Sequence, residues 1–221
     1  MAFKVKTIMF DLDGTLLHTA PEIANAANKM LIDLQIPALT ESRITEFIGD
    51  GVQTLIRRCL SNSYDSDVNE TLFERAQRIY TQYYAENVAQ SQPFYGVVDG
   101  LKQLHERNIR LACVTNKPAK FTTPLLKKSG LADFFDAVIS GDTLAKKKPD
   151  PIQLLHICAK FQIAPHEAML VGDSANDIEA AWAAGCLMVG VSYGYNQGRA
   201  LDQNRLNAMI NDLTELTFLL D

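Results

Sequence analysis

Phe10-Asp11-Leu12-Asp13-Gly14-Thr15, directly after the apolar run Val5-Lys6-Thr7-Ile8-Met9, decides how the rest of the chain is read. A β-branched and apolar run that stops at a glycine reads as a buried strand ending in a tight turn. Side chains alternate along a strand, so Asp11 and Asp13 project to the same side at its carboxyl end. Two carboxylates that close repel, so one takes a proton or a cation sits between them. Gly14 permits the sharp turn, and Thr15 adds a hydroxyl and a backbone N–H. Read alone, Asp-x-Asp-Gly is also an ordinary turn or a fragment of a calcium loop. The calcium loop fails, because no bidentate Glu follows at EF-hand spacing.

Beyond Thr15 the pattern turns helical. Thr19-Ala20-Pro21 opens a helix in which Ile23, Ala26, Ala27, Met30, Leu31 and Leu34 recur at helical spacing, and Pro37 stops it. A second helix begins near Thr40 and is broken by Gly49-Asp50-Gly51. Val52 to Leu60 is a third, ended by Ser61-Asn62-Ser63. Asp67-Val68-Asn69-Glu70 resembles a capping box and starts a longer helix through Tyr84. Nothing from 16 to about 88 reads as a strand. Val88 to Pro93 is polar, and Pro93-Phe94-Tyr95-Gly96 reads as a return linker into a helix carrying Val97, Leu101 and Leu104.

A β/α rhythm follows. Ile109–Thr115, Ala137–Ser140, Met169–Gly172 and Leu187–Val191 read as strands. Between them, Pro118–Ser129, Pro151–Phe161 and Asn176–Ala184 read as helices, the first closed by Gly130 and the last by Gly185. A last helix is expected from Asp212. This order implies an α/β fold, a Rossmann-like parallel sheet in three layers, with an α-helical cap inserted after the first strand. The expected division is 1–15 with 89–221 for the core and 16–88 for the cap.

The 221 residues suffice for one sizeable domain plus an insertion, and 47% hydrophobic with 21% charged residues describe an ordinary globular protein. A net charge of −5 argues against nucleic acid or a basic membrane-surface role. No apolar run reaches membrane-spanning length and the chain opens straight into a strand, so a cytoplasmic protein is expected. Cys59, Cys113, Cys158 and Cys186 form no C-x-x-C pair and read as buried hydrophobes in a reducing compartment. His18, His105, His156 and His166 lack metal-ligand spacing.

Ligands of open parallel sheets bind beyond the carboxyl ends of the strands. There this chain places Asp11 and Asp13, then Thr115-Asn116-Lys117, Lys146-Lys147-Lys148-Pro149-Asp150-Pro151, and Gly172-Asp173-Ser174-Ala175-Asn176-Asp177. Carboxylates, a hydroxyl, an amide and a lysine on one edge suit a divalent cation plus a phosphate.

The set resembles the haloacid dehalogenase superfamily of aspartate-nucleophile phosphohydrolases over nearly the whole chain. Asp11-Leu12-Asp13-Gly14-Thr15, Thr115, Lys148-Pro149-Asp150-Pro151 and Gly172–Asp177 match its four motifs in order. Gly49-Asp50-Gly51-Val52, Val114–Pro118, Gly185-Cys186 and Tyr193-Gly194-Tyr195-Asn196 carry a narrower likeness to its bacterial phosphoglycolate phosphatases. One departure is His18-Thr19, where the family commonly has Asp-Ser; His18 reads as a surface or hinge residue.

The resemblance implies that Asp11 attacks phosphorus, forming an aspartyl-phosphate that water hydrolyses, with Asp13 as general acid and base and Lys148 offsetting charge. It implies Mg²⁺ held by Asp11, the backbone carbonyl of Asp13, and Asp173, with Asp177 holding a metal-bound water or Lys148. Thr115 and the Asn116 N–H would bind phosphoryl oxygens. The cap would open and close over the site, with Gly51 in a loop reaching down and Arg57 or Arg58 offered to a second anion. These two point about 100° apart on a helix, so one at most faces the site.

The implied reaction is hydrolysis of a small phosphorylated metabolite, 2-phosphoglycolate first, by a monomer or homodimer. The alternatives are a sugar phosphomutase, a phosphatase of another sugar phosphate, pyrophosphate or nucleotide, and a receiver-like phospho-aspartate switch. Asp13 beside the nucleophile argues against the switch, and a dehalogenase needs neither Asp13 nor a metal. Phosphonate hydrolysis would need a cap lysine, and Lys29 alone is present there.

Overall fold

Every strand of the sheet runs the same way. The computed structural model describes residues 2–65, 67–87 and 90–221. Its strands are β1 (Thr7–Phe10), β2 (Arg110–Val114), β3 (Ala137–Ile139), β4 (Ala168–Gly172), β5 (Leu187–Val191) and β6 (Ala208–Ile210), ordered β3-β2-β1-β4-β5-β6 and all parallel. Strand order reverses between β1 and β4, the switch point where such sheets leave a crevice at their carboxyl edge.

Both faces of the sheet are covered, which is why β1 and β4 are buried at every residue. On one face Ile8 and Phe10 of β1, Leu111 and Cys113 of β2, and Met169 and Val171 of β4 pack against Val97, Leu101 and Leu104. On the other, Met9, Ala112, Val114 and Leu170 meet Leu154, Ile157, Ile178 and Ala181. The alternation is the strand period expressed as two separate cores.

The inserted block is helical. It comprises α1 (Ala20–Asp33), α2 (Glu41–Thr45), α3 (Val52–Ser61) and α4 (Glu70–Asn87), with its own core of Ile23, Met30, Phe47, Ile56, Phe73 and Tyr80. Ala20, Ala24, Ala26 and Ala27 are buried on α1, where small side chains bring neighbouring backbones close. Asn28 fastens the α1–α2 connection, its side chain bonding the Leu39 carbonyl and N–H at 2.9 Å each. The remaining helices, α5 (Val97–Glu106), α6 (Ala119–Lys128), α7 (Ile152–Phe161) and α8 (Ala175–Ala184), flank the sheet.

The expected cap limits meet the structure unevenly. Leu16 and Leu17 bury in the sheet's core, and the chain turns into the helical block after His18. The outgoing and returning segments pair there, His18 N donating to Gln92 O at 3.0 Å and Phe94 N to Leu16 O at 3.1 Å. The expected 88/89 boundary lies outside the described residues.

Three local expectations are corrected and one strand is added. α1 ends at Asp33 rather than Pro37, because Gln35 adopts a left-handed φ of 60° and Ile36 N turns back to Leu31 O. α4 is capped by Asn69, which accepts from Leu72 N, and not by Asp67. The tail from Asp212 is a 3-10 helix, Leu213–Leu219, whose buried Leu213 and Leu216 recur at its three-residue turn. A sixth strand, β6, is too short to carry a pattern of its own; Asn207 clamps it to Met188 through backbone and side chain. All four cysteines are free and buried. Among the described residues no helix is long and apolar enough to cross a membrane.

Gly100 lets α5 settle on that tail. A methyl there would lie 2.8 Å from both the carbonyl carbon and Cβ of Leu213. Gly100→Ala gains about 1 kcal/mol of helix propensity, yet the clash is with backbone. Urea unfolding is expected to show a net loss of about 1–2 kcal/mol; unchanged stability would mean the tail yields.

Candidate active site

Asp11 follows β1 at the switch point, its N–H extending the ladder to Val171 O at 2.9 Å. Its carboxylate meets the Lys148 ammonium at 2.9 Å. Lys148, 2% exposed, also donates to Asp177 Oδ1 and to the Val114 carbonyl, both at 2.7 Å. All three ammonium protons are thus used. Burial pulls against that charge, but Asp11 and Asp177 together hold the lysine above its ordinary value. Gln153 fixes the lysine's loop, accepting from Lys148 N at 3.2 Å and donating to Thr115 O and Ser140 O.

Asp173 enters from the end of β4. Its Oδ1 accepts from the Thr15 hydroxyl and its Oδ2 from Tyr195 N, each at 2.7 Å. These bonds need close backbone approach. A Cβ on Gly14, which has φ +87°, would lie 2.4 Å from Asp173 Oδ2, and one on Gly194 would lie 2.0 Å from Asp173 Cβ. Asp177 is the N3 residue of α8, its Oδ2 accepting from Ser174 N and Oγ at 3.0 and 2.6 Å.

Oxygens of Asp11, Asp173 and Asp177 lie within 4.8 Å of one another. Burial, reinforced by Asp177 and Asp173 and opposed by Lys148, pushes the Asp11 carboxyl up to about 8. Burial and then Asp177 push Asp173 up to about 6. Asp11, Asp13, Asp173 and Asp177 carry four formal negative charges, and the buried ammonium groups of Lys117 and Lys148 return two. One divalent cation makes up the difference, and oxygen donors suit a hard ion. The donor set fits. Asp177, with both oxygens bonded to Lys148 and Ser174, is the least free of the three.

Asp13 faces the same cavity with different company. Its two oxygens are 2.8 and 3.0 Å from Lys117 Nζ, and its side chain lies outside the three-carboxylate group. Lys117 is 4% exposed and 4.9 Å from the Tyr84 ring centroid. The cavity, about 40 Å³, is lined by Asp11, Asp13, Thr115, Asn116 and Lys117 on one side. Ile23, Ile48, Val52, Leu55 and Tyr80, with Gly49 and Gly51, close it from the helical block. Thr115 is buried and Asn116 Nδ2 donates to Gly49 O at 2.9 Å and Lys148 O at 2.8 Å.

Arg57, offered above as a substrate contact, points away. It pairs with Glu70 at 2.6 Å and lies over Phe73, where the aromatic face and the carboxylate hold it. Arg58 turns instead to Asp50, at 2.5 Å, and does not line the cavity either. Lys146 is a surface charge paired with Asp150, but Lys147 is half-buried and donates to Asp50 O at 2.7 Å.

Two participants stand in stretches quoted above without a role of their own. Lys117 was visible as a cation between a strand end and Pro118, a position with no apolar or capping reason to hold one. Tyr195, whose hydroxyl accepts from Ala20 N at 3.0 Å, has partners too distant in sequence to leave a local signal.

A buried aspartate directly after the first strand, a second aspartate paired with its own lysine, a buried lysine and an acidic cluster at a parallel sheet's switch point fit one class of hydrolase. The chain belongs to the haloacid dehalogenase-like hydrolase family, which it matches over residues 8–191. It is 46% identical to a phosphoglycolate phosphatase of Thiobacillus denitrificans, over 96% of this chain and 93% of that one. It is 45% identical to one of Nitrosospira multiformis, over 98% and 96%. A solved structure from Haemophilus somnus, described as a predicted phosphoglycolate phosphatase, superposes with a TM-score of 0.92 at 33% identity, covering 98% of each chain.

The raised carboxyls make stability pH-dependent. With folded values near 8 and 6 against an ordinary 3.8, the folded protein binds more protons than the unfolded chain above about pH 4. Stability from Asp11 therefore falls as pH rises toward 8, and from Asp173 toward 6. Melting of chelator-treated protein is expected at lower temperature at pH 8 than at pH 5. A divalent cation should raise the midpoint more at pH 8; an equal rise at both pH values would contradict this account.

Proposed function

We propose that this protein is a phosphoglycolate phosphatase, cleaving 2-phosphoglycolate to glycolate and phosphate through an aspartyl-phosphate on Asp11. The observation that carries the reading is the pair Asp11 and Asp13, two residues apart in one cavity yet held by different lysines. Environments that differ let two carboxylates take different roles.

In this reading an Asp11 oxygen attacks phosphorus while the ester P–O bond breaks. Asp13 gives a proton to the leaving glycolate oxygen. It then takes one from the water that attacks the aspartyl-phosphate, freeing phosphate and restoring Asp11. Lys148 offsets negative charge on Asp11 and the incoming phosphoryl group, and Asp177 positions that lysine through the 2.7 Å contact. Thr115 and the Asn116 N–H bind phosphoryl oxygens, and Gly51 contributes backbone to the cavity wall. Mg²⁺ is the proposed cation, held by Asp11, the Asp13 carbonyl and Asp173, and it supplies neutralisation of phosphoryl charge. The relatives' shared name and high coverage support the substrate, and four free thiols fit a cytoplasmic location.

Steady-state phosphate release over a panel of phosphometabolites tests this. A preference for 2-phosphoglycolate without any bisphosphate activator is expected, lost with chelator and in Asp11→Asn. Asp13→Asn should lower kcat about 10²–10⁴-fold, the range of general acid–base catalysis. Phosphate release that survives in Asp11→Asn would sink the covalent route.

A further inference from the structure

We propose that Asp50 is a latch that ties the 49–51 loop to the sheet's catalytic loops and thereby restricts the site to small esters; the size argument rests on the phosphatase reading above. Four residues from four separate segments of the core, three loops and the first turn of α8, converge on this one loop. Asn116 Nδ2 donates to Gly49 O at 2.9 Å and Lys147 Nζ to Asp50 O at 2.7 Å. Asn176 Nδ2 donates to Asp50 Oδ1 and Gln197 Nε2 to Asp50 Oδ2, both at 2.7 Å. Arg58, on the helix that the loop starts, balances the Asp50 charge at 2.5 Å.

The core side is built for this contact. Asn196 and Gln197 are consecutive non-glycine residues at positive φ, 35° and 53°, a conformation that needs compensation. Gln197 finds it in Asp50, and its carbonyl accepts from Tyr64 OH at 3.4 Å. Gly49 and Gly51, at φ 125° and 86°, give the loop a backbone that side chains would resist.

Gly49 and Gly51 also wall the cavity that Asp11, Asp13 and Thr115 line, so the seat of the loop sets the room left for a leaving group. A bound ester therefore shares the cavity with the loop. A small leaving group lets the loop return within hydrogen-bonding reach of its four donors. A larger one holds it off, and bonds stretched past about 3.5 Å are forfeited. Discrimination by size follows from the latch without any contact between Asp50 and substrate, which makes Asp50 a positioning residue.

The test pairs hydrogen exchange with kinetics in wild type, Asp50→Ala and Gln197→Ala, the last removing a donor from the core side alone. Exchange of peptides covering residues 44–56 is expected to quicken in both variants. KM for 2-phosphoglycolate should rise about tenfold with kcat held or increased, and its kcat/KM advantage over glucose 6-phosphate should shrink by about as much. Unchanged exchange in both variants would overturn the latch. Faster exchange with an unaltered size preference would overturn its role in specificity. If wild type ignores 2-phosphoglycolate but the variants open the loop and widen turnover of whichever ester it cleaves, the substrate assignment falls and the latch stands.

Discussion

The buried ammonium of Lys148 is the constraint on which the site depends. A charge removed from water is costly unless every proton finds an acceptor, and this one finds carboxylates from two strand ends and a carbonyl from a third. Asp11 follows β1, Val114 ends β2 and Asp177 opens the helix after β4, so satisfying one lysine fixes three adjacent strands in mutual register at their carboxyl edge. The same compensation leaves the acidic cluster short of positive charge, so the order that stabilises the lysine also prepares a cation site.

A second ion pair links chemistry to the helical block. Lys117 holds Asp13 and lies against Tyr84 of α4, and Tyr84 stands edge-on to Phe121 of α6 with ring centroids 4.8 Å apart. Asp13 is therefore coupled to the block through Lys117 and the ring of Tyr84, whereas Asp11 is anchored wholly within the sheet. The carboxylate proposed to shuttle protons is the one whose surroundings include a side chain of the block.

The sheet was legible because its cues are local. β1 shows an apolar run and a glycine, Gly185 marks the end of α8, and Leu187–Val191 was bounded to the residue. Asp11 and Asp173 were legible because each directly follows a strand, and Lys148 because Pro149-Asp150-Pro151 marks it out in the loop between β3 and α7. What escaped depends on partners far along the chain. Arg57 and Arg58 are neighbours of similar chemistry, and only the positions of Glu70 and Asp50 decide which one turns to the 49–51 loop. Lys147 stands in a run of three lysines with nothing local to set it apart from Lys146, and its acceptor is a backbone carbonyl from residue 50. The 3-10 tail differs from an α-helix by the spacing of two leucines.

The outgoing and returning strands of the connector lie side by side, Leu17 bridging Pro93 antiparallel, while Leu16 stays in the sheet's core. An excursion of about seventy residues thus begins and ends at a single doorway in the framework. From the sheet's standpoint it is a long loop, and loop length is tolerated cheaply. Such a doorway makes the helical block exchangeable in evolution: one lineage can remodel or replace it and acquire new tastes, while the inherited reaction centre beneath goes on working unaltered.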